Sequence, residues 1–302
     1  MESIKSQTIK ENLSDDSRIG DLKPTANVER LKEVEEIIKS NCPLTASFDV
    51  APLQQLYFTE FTYTNFNNWF YVTTMSPEFN ARYTMNTSKL VKTKDNIFTL
   101  VDKYETKSFD ANLEESGITG VVFLPGSNLE KLIDYALLDK VMMDNKNIIK
   151  VHPLTNDEML RRIGIRYGYY RIIGPEFSGV DILKQASKVF YTENSEMGLY
   201  AIDMGKPAES ISRLAINQAG TYFTIYDYIN KFSDSTTIKK QQALRRFFDN
   251  YTGILNINDS NEVIEAEIKS YYTTVTELRS KYAPTLPKFD YGLWTNLSGE
   301  KS

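Results

Sequence analysis

The single histidine of this chain stands at the end of one of three short β-favouring runs that each lead into a polar turn. His152 follows Asn147–Val151, Ser178 follows the Arg171–Ile173 run, and Ser195 follows Val189–Tyr191. An imidazole, a hydroxyl and the unpaired N–H groups that open a helix can all bind an anion such as phosphate. The spacing predicts three strands whose polar ends point the same way, with an anion site among them. The strongest apolar run of the chain, Ile118–Leu124, predicts a fourth strand ahead of them.

The stretch from Val189 to Pro207 reads as strand, polar turn, helix and stop. Ser195 is suited to cap the helix, Gly198 allows a close approach of a ligand, and Gly205 with Pro207 ends the helix. Two alternatives stay open: Asn194 or Ser195 serves only as an N-cap, and the histidine is a structural residue.

The string IIKVHPLTNDE, followed by RIIGPEFSGVDILKQASKVFYTENSEMGLYAIDMGKP, resembles the nucleotide-binding half of GT-B glycosyltransferases, especially bacterial sialyltransferase-like and capsule-type enzymes. The resemblance covers about residues 118 to 215. It implies that the HP histidine and the serine motif hold the donor phosphate, and that the intervening loop lies beside the nucleobase. The substrate-binding residues it implies are His152, Pro153, Ile173, Gly174, Asn194, Ser195, Glu196, Gly198 and Tyr200.

Tyr200 departs from the pattern of that family. Many members carry glutamate at this position, where a carboxylate binds hydroxyls of the donor. A phenol makes a single donated hydrogen bond and cannot act as a bidentate carboxylate. The identity of the donor therefore stays open.

The expected activity is transfer of a sugar from a nucleotide-sugar to an acceptor hydroxyl. His152 stabilises the leaving phosphate, and a carboxylate of the first domain deprotonates the acceptor, with Asp49, Glu60 and Asp102 as candidates. No cofactor is expected, because the nucleotide-sugar is itself a substrate. No metal is expected either, because no D-x-D motif follows a strand and the chain has one cysteine and one histidine.

The first two alternatives differ in the acceptor that receives the sugar. A glycan or a lipid-linked sugar is the first, and the hydroxymethylated bases of phage DNA are the second. The formal net charge of −5 does not favour binding of nucleic acid through bulk electrostatics. A third alternative is a non-catalytic protein of the same fold that binds a nucleotide or phosphate.

The resemblance and the alternation of strands with helices predict an α/β protein with two Rossmann-like domains of the GT-B type, the second with a parallel sheet, plus C-terminal helices. The predicted divisions are a polar tail (1–26), an acceptor-side domain (27–116), a nucleotide-sugar-binding domain (117–232) and a helical segment that braces both (233–302). The many aromatic residues between Tyr57 and Tyr83 are predicted to form core or cross-strand pairs.

No stretch approaches the ~20 apolar residues that span a bilayer, and the N-terminus has no apolar signal core. The sequence thus predicts a cytoplasmic protein, either free or held at the inner face of the membrane. The sequence leaves the oligomeric state open.

Overall fold

The computed structural model describes residues 27–47, 59–74, 89–94, 96–102, 107–213, 222–234 and 236–282. The chain forms two compact units. We call the described residues from 100 to 213 the parallel-sheet unit, and those from 27 to 99 and from 222 to 282 the aromatic unit.

In chain order, the first elements are α1 (Val28–Asn41), β1 (Thr45–Ser47), β2 (Phe61–Phe66), β3 (Trp69–Thr74), β4 (Gly120–Phe123), α2 (Tyr135–Met142), β5 (Asn147–Lys150), α3 (Asp157–Tyr167) and β6 (Ile172–Ile173). They are followed by α4 (Gly179–Gln185), β7 (Lys188–Tyr191), α5 (Glu196–Asp203), β8 (Ala208–Ser210), α6 (Phe223–Phe232), α7 (Thr237–Asn250), β9 (Ile254–Asn256) and α8 (Asn261–Tyr282). Short 3₁₀ turns lie at Ser127–Leu132 and Tyr169–Arg171.

The parallel-sheet unit is built on five parallel strands in the order β6-β5-β4-β7-β8. In the register, Phe123 of β4 lies beside Lys150 of β5 on one side and Tyr191 of β7 on the other. The predicted α/β class with a parallel sheet is confirmed. The sequence predicted four strands here, whereas the structure adds β8, a three-residue strand with one buried side chain.

Helices cover both faces of this sheet, which is why β4 is apolar and buried along its whole length. On one face, α2 and α3 pack their apolar residues against Val122 and Ile149. On the other, α4 begins at Gly179, whose Cβ position is 3.7 Å from the Phe123 ring. The N-cap side chains of α2 to α5 each accept a hydrogen bond from their own helix: Asp134, Asn156, Ser178 and Ser195.

The aromatic unit contains a mixed sheet in the order β1-β2-β3-β9. β2 and β3 form an antiparallel hairpin whose turn includes Asn67, with φ of 51°. Their aromatic side chains are buried, and Phe66 and Trp69 each lie edge-on to Phe248 of α7. This confirms the core role predicted for the aromatic residues from 61 to 71; the rest of the Tyr57–Tyr83 segment, apart from Thr59, Glu60 and Val72 to Thr74, lies outside the described residues.

The chain passes from one compact unit to the other near residues 99–100 and again near 216–217. The sequence predicted these boundaries at 116 and 232. The difference arises because β9 pairs with β3, and α8 packs against α1. The described residues of α7 and α8 therefore belong to the same unit as the first strands of the chain.

None of the helices in the ranges given above is both long and apolar enough to cross a membrane. The 22-residue α8 has the length, but it carries charged residues throughout.

Candidate functional site

The carboxyl edge of the parallel sheet brings together the turns that the sequence singled out and the loop after β4, which it did not. Because β5, β4 and β7 are adjacent and parallel, the segments that follow them, 151–156, 124–128 and 192–195, all begin at this edge. The chain runs outward from β4 through β5 to β6 and then returns to β7, so the strand order reverses between β4 and β7. Open α/β sheets bind ligands at such a switch point.

His152 and Ser195 stand at this same edge, on either side of β4. Two strand spacings separate the strands that carry them, which is roughly 10 Å. A phosphate or a nucleotide is large enough to span the end of the intervening strand.

The loops after β4 and β5 form one hydrogen-bonded piece. The Ser127 N–H donates to the Leu154 carbonyl oxygen at 3.2 Å, and the Asn156 N–H donates to Ser127 Oγ at 2.7 Å. A Cβ at Gly126 would lie 2.8 Å from Asn128 Oδ1 and 3.3 Å from His152 Nδ1. Glycine at this position thus lets the two loops pack closely.

The imidazole of His152 is oriented by its own turn. Its Nδ1 accepts a hydrogen bond from the Leu154 N–H at 3.0 Å, and the residue is exposed. Because Nδ1 is an acceptor, the neutral ring carries its proton on Nε2. Nε2–H is therefore a hydrogen-bond donor. Pro153, also in the turn, is half-buried.

Ser195 is the N-cap of α5, as the sequence predicted as one alternative. Its Oγ accepts from the Met197 N–H at 3.2 Å. In the same turn, the Thr192 hydroxyl donates to Asn194 Oδ1 at 2.7 Å, and the Glu193 N–H donates to Ser212 Oγ at 2.7 Å. These contacts fix the turn and direct the start of α5 to the carboxyl edge.

The other residues of the serine motif lie further along α5. Glu196 opens the helix and is half-buried. Gly198 and Tyr200 are buried, with Tyr200 only 2% exposed. The phenol of Tyr200 thus belongs to the interior of the unit.

Of the two residues predicted to lie near a nucleobase, Ile173 ends the outer strand β6 and Gly174 follows it. The Ile173 carbonyl oxygen accepts from the Val151 N–H at 3.1 Å, which places this strand end beside the His152 turn. A Cβ at Gly174 would meet the carboxylate of Glu176.

Two of the three carboxylates considered as a general base lie in the described residues, one in each unit. Asp49 lies outside the described residues. Glu60 belongs to the aromatic unit, where it forms an ion pair with Arg279 at 2.8 Å. Asp102, which the sequence assigned to the first domain, belongs to the parallel-sheet unit.

Lys150 is a residue of this edge that the sequence did not single out. It ends β5, is 4% exposed, and its Nζ donates to the Val151 carbonyl oxygen at 2.9 Å. Burial, together with the nearby Lys107 ammonium, lowers its pKa to about 7, although Glu176 and Asp102 act in the opposite direction. Near neutral pH, a buried amine two residues from His152 is thus close to its point of half-protonation.

A cavity of about 300 Å³ opens on this edge beside the loop that follows β4. The loop crosses towards the end of β8, where the Asp134 N–H donates to the Ile211 carbonyl oxygen at 2.9 Å and the Arg213 N–H donates to that of Leu132 at 2.8 Å. The cavity is lined by Ser127, Asn128, Glu130, Lys131, Ile133, Tyr135 and Arg213.

Sequence reasoning missed these lining residues. Pro125 to Asn128 follow the strongest apolar run of the chain, so the rule that ligands bind at strand ends points to them. Arg213 follows β8, which is too short to give a sequence signal of its own.

Within the ranges that the structure describes, no three His, Cys, Asp or Glu side chains are grouped so as to hold a metal ion. By its fold, the chain is a mixed α/β protein with a parallel sheet. Comparison with known protein families gives no match, and comparison with curated proteins gives none either.

Proposed function

We propose that the parallel-sheet unit binds a nucleotide-sugar at its switch point and that the protein is a metal-independent glycosyltransferase of the GT-B type. The observation that carries the proposal is the position of His152 and Ser195 at one sheet edge, on either side of β4. The resemblance of residues 148–207 to the HP and serine motifs supports the same function.

In this proposal, the donor phosphate binds over the end of β4. The Nε2–H of His152 and the N–H groups that open α5 donate to its oxygens, and the positive end of the helix dipole favours the anion. Ser195 Oγ accepts from the Met197 N–H, and in this proposal its hydroxyl donates to the phosphate when the ligand binds.

The chemical step breaks the bond between the sugar carbon and the phosphate oxygen, and forms a bond from that carbon to the acceptor oxygen. Negative charge then grows on the leaving phosphate, where donors already in position stabilise it. A carboxylate accepts the acceptor proton, an effect typically worth ~10²–10⁴ in rate. Asp49 and Glu60 are the proposed bases, and Glu60 must leave Arg279 to act.

The experiment that tests the proposal is a binding panel followed by an assay of turnover. Thermal stabilisation and calorimetry with CMP, UDP, GDP, ADP and their sugar esters should select one nucleotide class. The selected sugar nucleotide should then release free nucleotide faster when glycans, lipid-linked sugars or hydroxymethylated DNA are supplied as acceptors. If none of these nucleotides binds, the proposal is wrong; binding without turnover favours the non-catalytic alternative.

A further inference from the structure

The cavity beside the β4 loop has an excess of positive charge. Of the side chains that line it, Lys131 and Arg213 are cationic, and Glu130 is the one carboxylate. Glu130 is already engaged, because the Tyr135 hydroxyl donates to its Oε1 at 2.6 Å and Arg162 forms an ion pair with its other oxygen. The net charge facing the cavity is therefore positive.

Arg213 is held at this cavity by its backbone and not by its side chain. Its N–H donates to the Leu132 carbonyl oxygen, yet in the part of the chain that the structure describes its guanidinium makes no hydrogen bond or ion pair. A guanidinium presents a planar set of donors that matches the two oxygens of a phosphate or a carboxylate. Because Arg213 is exposed, these donors are open to solvent and can bind an anion that enters the cavity.

The cavity lies next to the edge where the donor phosphate is proposed to bind. Asn128 lines the cavity, and its Oδ1 and the Nδ1 of His152 both lie within 3.3 Å of the place where a Cβ of Gly126 would stand. At the far end, Ser212, which precedes Arg213, accepts from the N–H of Glu193 in the Ser195 turn. The end of β8 is one strand spacing from that of β7 and two from that of β4, or about 5 to 10 Å.

We infer that this cavity is a second anion subsite, which takes a phosphate or carboxylate group of the same ligand whose first phosphate binds between His152 and Ser195. The inference rests on the proposed function for the position of that first phosphate. It adds a selection rule: ligands with two separated anionic groups bind in preference to those with one.

Inorganic phosphate and tripolyphosphate test the subsite without any assumption about the nucleobase. By calorimetry, the wild-type protein should bind tripolyphosphate at least tenfold more tightly than phosphate. Arg213→Ala should remove most of that advantage and leave phosphate binding unchanged, while Arg213→Lys should restore part of it. Arg246→Ala, which removes an exposed arginine of α7, is the matched control and should change neither affinity.

UDP-glucose and UDP-glucuronate distinguish the two sources of the second anion. If the cavity takes a phosphate, Arg213→Ala weakens both ligands by the same factor; if it takes the sugar carboxylate, UDP-glucuronate alone is weakened. Equal loss of phosphate and tripolyphosphate binding in Arg213→Ala, or no loss of either, overturns the subsite even if nucleotides bind. A protein that binds no nucleotide, but whose preference for tripolyphosphate depends on Arg213, contradicts the proposed function and retains the subsite.

Discussion

The Nζ of Lys150 lies 2.9 Å from the carbonyl oxygen of Val151, the residue that leads from β5 into the His152 turn. In the described part of the chain, no carboxylate forms an ion pair with this amine, and it is almost wholly buried. A lysine that charges at this place loses hydration and gains one hydrogen bond to a carbonyl group. The fold therefore carries an electrostatic cost beside its candidate site.

Replacing Lys150 should change how the stability of the protein depends on pH. The pKa of Lys150 is about 7 in the folded chain, and we take the ordinary lysine value of 10.5 for the unfolded chain. At pH values between these two, the unfolded chain therefore binds more protons than the folded chain. The contribution of Lys150 should thus make the free energy of unfolding rise as the pH increases from about 7 to 10.5. Below pH 7, the buried lysine should lower the free energy of unfolding by its full amount. Lys150→Met should raise that free energy at pH 7 by up to about 4 kcal/mol, and flatten its pH dependence.

Urea denaturation at pH values from 7 to 10 measures this effect. Lys140→Met removes an exposed lysine of α2 and is the matched control. If Lys150→Met and the wild type have parallel curves over this range, the amine is not the source of the cost.

The turn around His152 allows its structural role to be separated from a role in binding. In His152→Asn, the side-chain oxygen can still accept from the Leu154 N–H, but the Nε2–H donor is lost. We expect the free energy of unfolding to stay within about 0.5 kcal/mol of wild type. Affinity for the selected nucleotide should fall by the worth of a charge-assisted hydrogen bond, about 1.5–3 kcal/mol.

His152→Ala removes both the acceptor and the donor, so it should lose stability as well as affinity. Calorimetry and urea denaturation of the two variants give the comparison. Unchanged nucleotide affinity in His152→Asn would show that the histidine serves the turn alone.

A negatively charged substitution at Ser195 distinguishes its role as an N-cap from the proposed contact with phosphate. Aspartate caps a helix as well as serine does, so Ser195→Asp should keep the stability of α5. It also places a negative charge where the phosphate is proposed to bind, so nucleotide affinity should fall at least tenfold, and less so at high salt.

Asn27→Asp is the control for this change, because it adds the same charge at the N-cap of α1, in the aromatic unit. It should leave nucleotide affinity unaltered. Equal affinities of Ser195→Asp and wild type, measured at low salt, would exclude a phosphate at this turn.

Local sequence signals were enough to predict the features that depend on near neighbours. Helical periodicity predicts helices over Thr237–Asn250 and Asn261–Tyr282, and cap chemistry predicts a helix start at Ser178 with Asp181. The structure confirms both helices, as α7 and α8, and the Asp181 N–H donates to Ser178 Oγ at 3.0 Å. These features depend on interactions three or four residues apart, which a single sequence displays.

Three features that depend on long-range contacts were not predicted. The pairing of β3 with β9 joins residues nearly 200 positions apart and puts the C-terminal helices in the aromatic unit. In the sequence, Lys150 is an ordinary polar residue at the end of a strand, whereas in the fold it is buried and its pKa is affected by Lys107, Glu176 and Asp102, which are distant in the chain. The Arg213 cavity likewise requires that the β4 loop cross to β8, which no periodicity indicates.

Gly126 should be required for the close packing of the loops at the candidate site. Its φ of −63° suits any residue, so a substitution causes no backbone strain. A Cβ, however, would lie 2.8 Å from Asn128 Oδ1 and 3.0 Å from the Leu154 Cβ, so the Asn128 side chain must turn away and the loop after β5 must shift by a few tenths of an ångström. We expect Gly126→Ala to cost about 1–3 kcal/mol of stability, and to weaken nucleotide binding because the His152 ring moves.

Gly179→Ala is the matched control for this prediction. Its added methyl group would meet the flexible end of Met197 at 3.3 Å, at the first position of α4, where alanine suits the helix. Urea denaturation should therefore show little change for Gly179→Ala and a clear loss for Gly126→Ala. Equal stabilities of the two variants would mean that the loops at the switch point yield without cost, and that His152 is not held in place by this packing.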